Sequence, residues 1–120
     1  MIGSEGRSFE VSTLGAGEIA ILNDELRKRG RGGHIMVTRG VRSLPTFEVV
    51  GLLAALAAYG AFDADNDPYG ERDFGDLDIG GEELLWKIDY YDVLGRYASP
   101  DPTNPAVTMR VLTVMLSSEY

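Results

Sequence analysis

The chain has 120 residues, of which 44% are hydrophobic and 25% charged, with no cysteine and a net charge of −8. This length and composition are typical of one globular domain and argue against a chain that is disordered throughout. The lack of cysteine excludes disulfide bonds and thiolate metal ligands. The N-terminus has no basic-then-apolar leader pattern, and the longest mostly apolar run, residues 49–61, is shorter than the roughly 20 residues that span a bilayer. We therefore expect a soluble, cytoplasmic protein.

The negative charge is concentrated in one segment of the chain. Residues 63–92 contain eleven acidic and two basic side chains, a net charge of −9, whereas residues 1–42 contain five acidic and seven basic side chains, a net charge of +2. A segment with this charge repels phosphates and attracts cations or basic protein surfaces, so direct binding of nucleic acid through it is not expected. The alternative is that the acidic residues only keep a small protein soluble.

The N-terminal part of the sequence predicts an arm followed by a helix. Residues 1–16 predict a flexible arm, of which residues 1–12 are polar and rich in glycine and serine, with Phe9 and Val11 alternating as an edge strand would. From residue 17 the apolar residues recur at helical spacing, and basic residues occupy the last turn before Gly30. The sequence therefore predicts a domain over residues 17–120 that begins with a helix.

A strand and a second helix are predicted next. The glycines Gly32 and Gly33 are interpreted as a linker rather than a phosphate loop, because the lysine and hydroxyl residues of such a loop are missing. Residues 34–38 are β-branched or apolar and predict a strand. Residues 44–59 predict a helix that is apolar on nearly every side, so we expect it to be the central core element.

A hairpin and a third helix are predicted after the acidic loop. Two strands, residues 76–79 and 82–91, flank a turn of two glycines, and this turn fixes their register. In that register Asp78 faces Glu83, and this pairing of like charges costs some tenths of a kcal/mol. A local cost of this kind is typical of a surface kept for binding. A third helix is predicted to begin after Asn104 and to end near residue 118.

These elements predict an α+β fold. Three helices pack on a small, mostly antiparallel sheet, and the elements follow one another in the order α-β-α-β-β-α. No repeat or linker divides residues 17–120, so they are expected to form a single domain.

Four stretches of the sequence carry a family resemblance. They are residues 62–75 (FDADNDPYGERDFG), 86–92 (WKIDYYD), 99–102 (SPDP) and 111–116 (VLTVML). Together they resemble a bacterial family called domain of unknown function 3768, over about residues 17–120. Members of that family are short, often acidic, and common on plasmids and other mobile elements near anti-restriction genes. The resemblance implies a shared fold and an anti-defence setting, but it carries no catalytic residues.

A metal site is one interpretation of the acidic loop. Asp63, Asp65 and Asp67 alternate as in the first half of an EF-hand loop, where this spacing points oxygens at one calcium ion. Pro68 and Phe74 occupy the positions that require the turn glycine and the closing glutamate. Two interpretations therefore remain. Other carboxylates complete a non-EF site for calcium or magnesium, or the three side chains only cap the backbone of their own loop.

The acidic segment is also the predicted binding surface for a protein partner. Tyrosine side chains are common anchor residues in protein interfaces, and carboxylates attract arginine-rich surfaces of a partner during encounter. The predicted surface comprises Asp63, Asp65, Asp67, Tyr69, Glu71, Asp73, Asp76, Asp78, Glu83, Asp89, Tyr91 and Asp92.

The function expected from this surface is binding rather than catalysis. With the setting that the family resemblance implies, we expect an acidic, non-enzymatic protein of mobile elements, an anti-restriction or anti-CRISPR inhibitor that engages a basic, nucleic-acid-binding surface of a host protein. No cofactor beyond calcium or magnesium and no membrane are expected to take part. The alternative is a small metal-dependent or carboxylate-based enzyme, in which carboxylates and nearby tyrosines act as general acid and base.

Overall fold

The structure is a computed structural model that describes the backbone of residues 4–120 and the side chains of residues 15–120. The described backbone contains three α-helices and four strands, which are α1 (Ser4–Arg29), β1 (His34–Val37), α2 (Arg39–Arg42), α3 (Val49–Ala58), β2 (Phe74–Ile79), β3 (Glu82–Tyr91) and β4 (Met109–Leu116). The strands form one sheet in the order β1-β4-β3-β2. β1 and β4 are parallel, and the other two pairs are antiparallel. The α+β class and the mostly antiparallel sheet are therefore confirmed.

α1 is longer than the sequence indicates. It begins at Ser4 and includes the positions of Phe9 and Val11, so the edge strand considered for the arm is wrong. The proposed domain boundary after residue 16 stays a prediction. None of the described helices, α1 included, has the length and apolar character needed to cross a membrane.

The core lies between the helices and one face of the sheet. Side chains alternate between the two faces of a strand, and in β3 the three residues Leu84, Trp86 and Ile88 point toward the helices and are buried. Leu112 and Val114 of β4 lie opposite Ile88 and Trp86 and extend the same row. The helices complete the cluster with Leu26 of α1, Val41 of α2, and Leu52 and Leu56 of α3.

The hairpin register predicted from the two glycines is confirmed. Leu77 pairs with Leu84, and Asp78 pairs with Glu83. The turn residues Gly80 and Gly81 have φ values of 60° and 86°. A two-residue turn with both φ values positive matches the twist of the strands, and glycine adopts it at little steric cost.

The third predicted helix is wrong, and with it the predicted element order. Asn104 does cap a helical turn, since its Oδ1 accepts a hydrogen bond from the backbone N–H of Ala106, but that 3-10 turn ends at Val107. Residues 109–116 then form β4 instead of a helix. β4 pairs with β1 on one side and β3 on the other, so these two long-range pairings decide the conformation of a β-branched run.

The predicted central helix is a surface helix with one buried side. α3 covers residues 49–58 rather than 44–59, and Glu48 caps it by accepting the backbone N–H groups of Val50 and Gly51. Only Leu52 and Leu56 of this helix are buried. Val50 is 71% exposed and Leu53 is 43% exposed, so the expectation that this helix forms the centre of the core is corrected.

Candidate functional site

The predicted surface residues of the hairpin share one face of the sheet. Asp76 and Asp78 of β2 and Glu83, Asp89 and Tyr91 of β3 alternate with residues that point toward the helices. Their side chains therefore lie on the opposite, outer face. The structure thus brings five of the twelve predicted residues together.

Three exposed carboxylates of this group, Asp76, Asp78 and Glu83, lie near the hairpin turn, next to the exposed Glu82. We call Asp76, Asp78, Glu82 and Glu83 the acidic ridge; all four residues are exposed. Asp78 Oδ1 accepts the backbone N–H of Gly81 at 3.0 Å, which supports the turn. No lysine or arginine occurs in the sequence between residues 72 and 87, so the ridge has no basic neighbour along this stretch of the chain.

Glu82 is a ridge residue that the sequence interpretation missed. It pairs with Ile79 at the end of the hairpin, and the alternation of strand residues assigns it to the helix side. The helices do not cover this end of β3, since Glu82 is exposed. Its position directly after the glycine turn was the available signal, because residues next to a hairpin turn lie at the periphery of a sheet.

The carboxylates of the loop before β2 are used to shape the loop. Asp63 Oδ1 accepts the backbone N–H groups of Asp65 and Asn66 at 2.9 and 3.0 Å. Asp67 Oδ1 accepts the backbone N–H of Arg72 at 3.0 Å, at a residue whose φ is 55°. These contacts are the self-capping turns that were the alternative to a metal site. Tyr69, at the loop tip, is 80% exposed.

The metal interpretation gains no support from this geometry. In the part of the chain that the structure describes, no three histidine, aspartate or glutamate side chains come together in a group that could hold a metal ion. One oxygen each of Asp63 and Asp67 already accepts backbone hydrogen bonds. Calcium or magnesium binding at Asp63, Asp65 and Asp67 stays a prediction.

Glu71 belongs to a polar network beneath the loop. Its carboxylate accepts the Tyr90 hydroxyl at 2.9 Å, and its backbone carbonyl accepts Asn23 Nδ2, also at 2.9 Å. Asn23 Nδ2 also donates to the Tyr90 hydroxyl at 2.8 Å, and Asn23 Oδ1 accepts Arg110 Nε at 2.7 Å. Asn23 and Arg110 are 0% and 1% exposed, so the network is inside the protein. Burial is also the main reason that the pKa of Tyr90 is raised well above its ordinary value.

A second set of contacts fixes the loop to α1. The two carboxylate oxygens of Asp24 form ion pairs with Nη1 of Arg27 and Nη1 of Arg72, each at 2.8 Å. One carboxylate therefore joins the helix to the loop. Arg27 Nε also donates to the carbonyl of Leu56 at 3.1 Å, near the C-terminal end of α3. A cation at this end of a helix satisfies a carbonyl and interacts favourably with the helix dipole. The guanidinium lies 5.2 Å from the centre of the Phe62 ring, which anchors the start of the loop.

The remaining predicted carboxylates are partly neutralised or structural. Asp89 forms an ion pair with Lys87 at 2.6 Å, and this hydrogen bond is the main reason that the pKa of Lys87 is raised. Asp92 Oδ1 accepts the backbone N–H of Arg96 in the turn that follows β3. Asp73 is partly buried, and burial together with the neighbouring Glu71 charge raises the pKa of its carboxyl group. The acidic segment therefore contains carboxylates that hold local structure, the exposed Asp65 of the loop, and the exposed ridge on the hairpin.

The raised pKa of Asp73 predicts a pH-dependent effect of Asp73→Asn. A folded-state pKa above the unfolded value means that the ionised carboxylate destabilises the fold at neutral pH. That cost disappears as the pH falls through the folded pKa toward the ordinary value of 3.8. Thermal unfolding should therefore give a higher melting temperature for Asp73→Asn than for the wild type at pH 7, and equal values below about pH 3.8. Asp65→Asn, at an exposed position, serves as the control, and an equal gain in both variants would contradict this prediction.

Fold and surface together define a small α+β protein with helices on one face of a mixed sheet and an acidic ridge on the hairpin. Residues 37–119 match the family model described as Protein of unknown function (DUF3768). This match covers more than half of the chain, so the chain belongs to that family. It includes the acidic loop, the hairpin and β4, whereas α1 lies outside it. No curated protein and no solved structure matches the chain significantly.

Proposed function

We propose that this chain is a non-enzymatic binding protein whose acidic ridge engages a basic, nucleic-acid-binding surface of another protein. The observation that carries the proposal is the exposure of Asp76, Asp78, Glu82 and Glu83 in a stretch of sequence without a basic residue. Carboxylates arranged in this way steer a basic surface during encounter and compete with phosphates for it. The partner is therefore a protein that also binds nucleic acid.

The ridge is a smaller contact surface than the whole acidic segment. Asp63 and Asp67 cap loop turns, and Glu71 accepts the Tyr90 hydroxyl. Moving these side chains toward a partner would leave backbone or hydroxyl donors without their acceptors. Within the ridge, Asp78 accepts the backbone N–H of Gly81 and Glu83 accepts the Ser117 hydroxyl. We therefore assign the partner contact chiefly to Asp76 and Glu82 of the ridge, and assign the loop the task of holding the edge of the sheet in place.

The biological setting that we propose rests on the family resemblance. Proteins of this family on plasmids and other mobile elements would meet host defence proteins, which bind nucleic acid through basic surfaces. An acidic inhibitor of restriction or CRISPR complexes, acting in the cytoplasm of a bacterium, is consistent with the charge of the ridge.

Affinity capture with a matched pair of variants tests the proposed function. Asp76→Asn with Glu82→Gln removes two ridge charges and leaves the turn contact of Asp78 intact. The control, Glu18→Gln with Asp65→Asn, removes two exposed carboxylates elsewhere. We expect the wild type and the control variant to capture a basic protein from a bacterial host lysate, and duplex DNA to displace it. Capture that is unchanged in the ridge variant, or that DNA does not displace, would contradict the proposal.

A further inference from the structure

The ridge lies along an edge of the sheet, and the main chain of that edge is aligned for further pairing. β2 is an outer strand in the order β1-β4-β3-β2. The backbone N–H of Ile88 donates to the carbonyl of Asp73 at 2.8 Å. Hydrogen-bonded residues alternate along an antiparallel pair. The backbone groups of Phe74, Asp76 and Asp78 therefore point away from β3, toward the edge, where the N–H of Asp76 meets the hydroxyl of Tyr59.

A small pocket opens beside the middle of this edge. It has a volume of about 200 Å³, and its lining includes the largely apolar residues Tyr59, Phe74 and Leu85 and the acidic residues Asp76 and Glu83. A lysine or arginine side chain combines an apolar stem with a cationic head. The pocket therefore has the chemistry to hold the stem against its rings and the head against its carboxylates.

A buried donor next to the pocket is a second, independent feature. Among the described residues, Nε1 of Trp86 is a buried side-chain nitrogen without a hydrogen-bond partner. It lies beside Gly75, where a Cβ atom would be 2.6 Å from Trp86 Nε1 and 2.6 Å from Cζ of Tyr59. Gly75 and Tyr59 both line the pocket, so the unpaired N–H lies directly behind its wall. A buried N–H group without a hydrogen-bond acceptor is unusual in a native structure.

These features point to the way in which the partner binds. Building on the proposed function, we propose that a lysine- or arginine-rich segment of the partner adds to the edge of β2 as a further strand. Strand addition of this kind takes its affinity from main-chain hydrogen bonds and its specificity from pockets for alternate side chains. Here the edge supplies the backbone groups of residues 74, 76 and 78, and the pocket receives a basic side chain.

Charge complementarity selects a basic strand over a second copy of this chain. Two copies paired along β2 would place Asp76 and Asp78 against the same carboxylates of the partner copy. Like charges across paired strands are destabilising, and charged residues on an edge strand prevent self-association. The same carboxylates attract a strand with lysine or arginine at alternate positions.

Hydrogen exchange with a synthetic probe tests the strand addition. The probe is a peptide of alternating lysine and threonine, and the control is the same peptide N-methylated at alternate amides, which keeps the charge but removes the donors. On binding of the probe, the amide protons of Phe74 and Asp78 should exchange at least tenfold more slowly, and the N-methylated peptide should not produce this effect. Unchanged exchange at both residues, with or without detectable binding of the probe, would overturn the strand addition. The proposed function would survive that result, because the capture and DNA displacement experiment decides it separately.

A proline variant supplies a second test on the protein side. Asp76→Pro and Asp76→Asn lose the same charge, but only the proline also removes the N–H that points to the edge, a donor that the added strand would take over from the Tyr59 hydroxyl. We expect the proline variant to bind the probe at least tenfold more weakly than the asparagine variant. Equal affinities would overturn the proposal, and circular dichroism establishes that both variants fold. If the proline variant does not fold, the exchange experiment decides the question.

Discussion

Trp86→Ala should lower the free energy of unfolding by about 3–5 kcal/mol, because it removes the largest fully buried side chain of the core. The indole packs edge-on against Tyr59 at 5.5 Å and Phe62 at 6.1 Å between ring centres. Its loss would leave a cavity and free both aromatic residues that hold the start of the acidic loop. Chemical denaturation measures the effect, and a loss below about 1 kcal/mol would contradict the core described here.

Two leucines of α3 provide a matched control for the core. Leu56 is 0% exposed and Leu53 is 43% exposed, although both lie in the same short helix. Leu56→Ala should cost about 2–5 kcal/mol, whereas Leu53→Ala should cost less than about 1 kcal/mol. Equal losses would mean that α3 packs with a different side toward the sheet.

Arg110→Met should destabilise the protein by about 3 kcal/mol, because it leaves buried acceptors without donors. Arg110 donates to Asn23 Oδ1 at 2.7 Å and to the carbonyl of Pro102 at 2.5 Å. Methionine retains most of the side-chain length and volume but supplies no N–H group. The expected loss therefore reports the hydrogen bonds more than the packing.

An exposed arginine of the same structure serves as the control for this prediction. Arg72 forms an ion pair with Asp24 at 2.8 Å, and its side chain is 47% exposed. Solvent screens such a pair, so Arg72→Met should cost less than about 1 kcal/mol. If denaturation gives the same loss for both variants, the buried network does not contribute the stability assigned to it.

The parts of the fold that were predicted correctly depend on local signals. The two glycines between residues 79 and 82 fix a hairpin turn, and the turn fixes the pairing of Leu77 with Leu84. In contrast, residues 109–116 carry two patterns at once. Val111, Val114 and Met115 are spaced as on a helix, whereas Leu112 and Val114 alternate as on a strand. The pairing of β4 with β1 and β3 selects the strand, and both pairings bridge long stretches of chain: residues 92–108 separate β4 from β3, and β1 lies before the whole acidic segment.

The orientation of α3 was not predictable for a related reason. Its residues are apolar on nearly every side, so their spacing does not show which side meets the sheet. The contacts of Leu52 and Leu56 with the core decide it. An apolar helix of this kind is compatible with a central or a peripheral position, and only the packing of the other elements separates the two.

The acidic segment was recognised from charge alone. Which of its carboxylates hold local structure and which are exposed for binding was not. Glu71 contacts Tyr90 and Asn23, which lie 19 and 48 residues away in sequence. Such distant partners cannot be inferred from local spacing, so structural and exposed carboxylates look alike in the sequence. The hairpin register, which was predicted, did place Asp78 and Glu83 together on the outer face, and the structure adds Asp76 to them.

The association rate constant with the purified partner tests the role of the acidic ridge most directly. Electrostatic steering acts on the rate of encounter and weakens as salt increases. We expect a wild-type rate that falls steeply between low and physiological salt, and a rate about tenfold lower at low salt for Asp76→Asn with Glu82→Gln. The control variant, Glu18→Gln with Asp65→Asn, should associate nearly as fast as the wild type. Equal rates for the ridge variant and the wild type at low salt would contradict the assignment of the ridge as the contact surface.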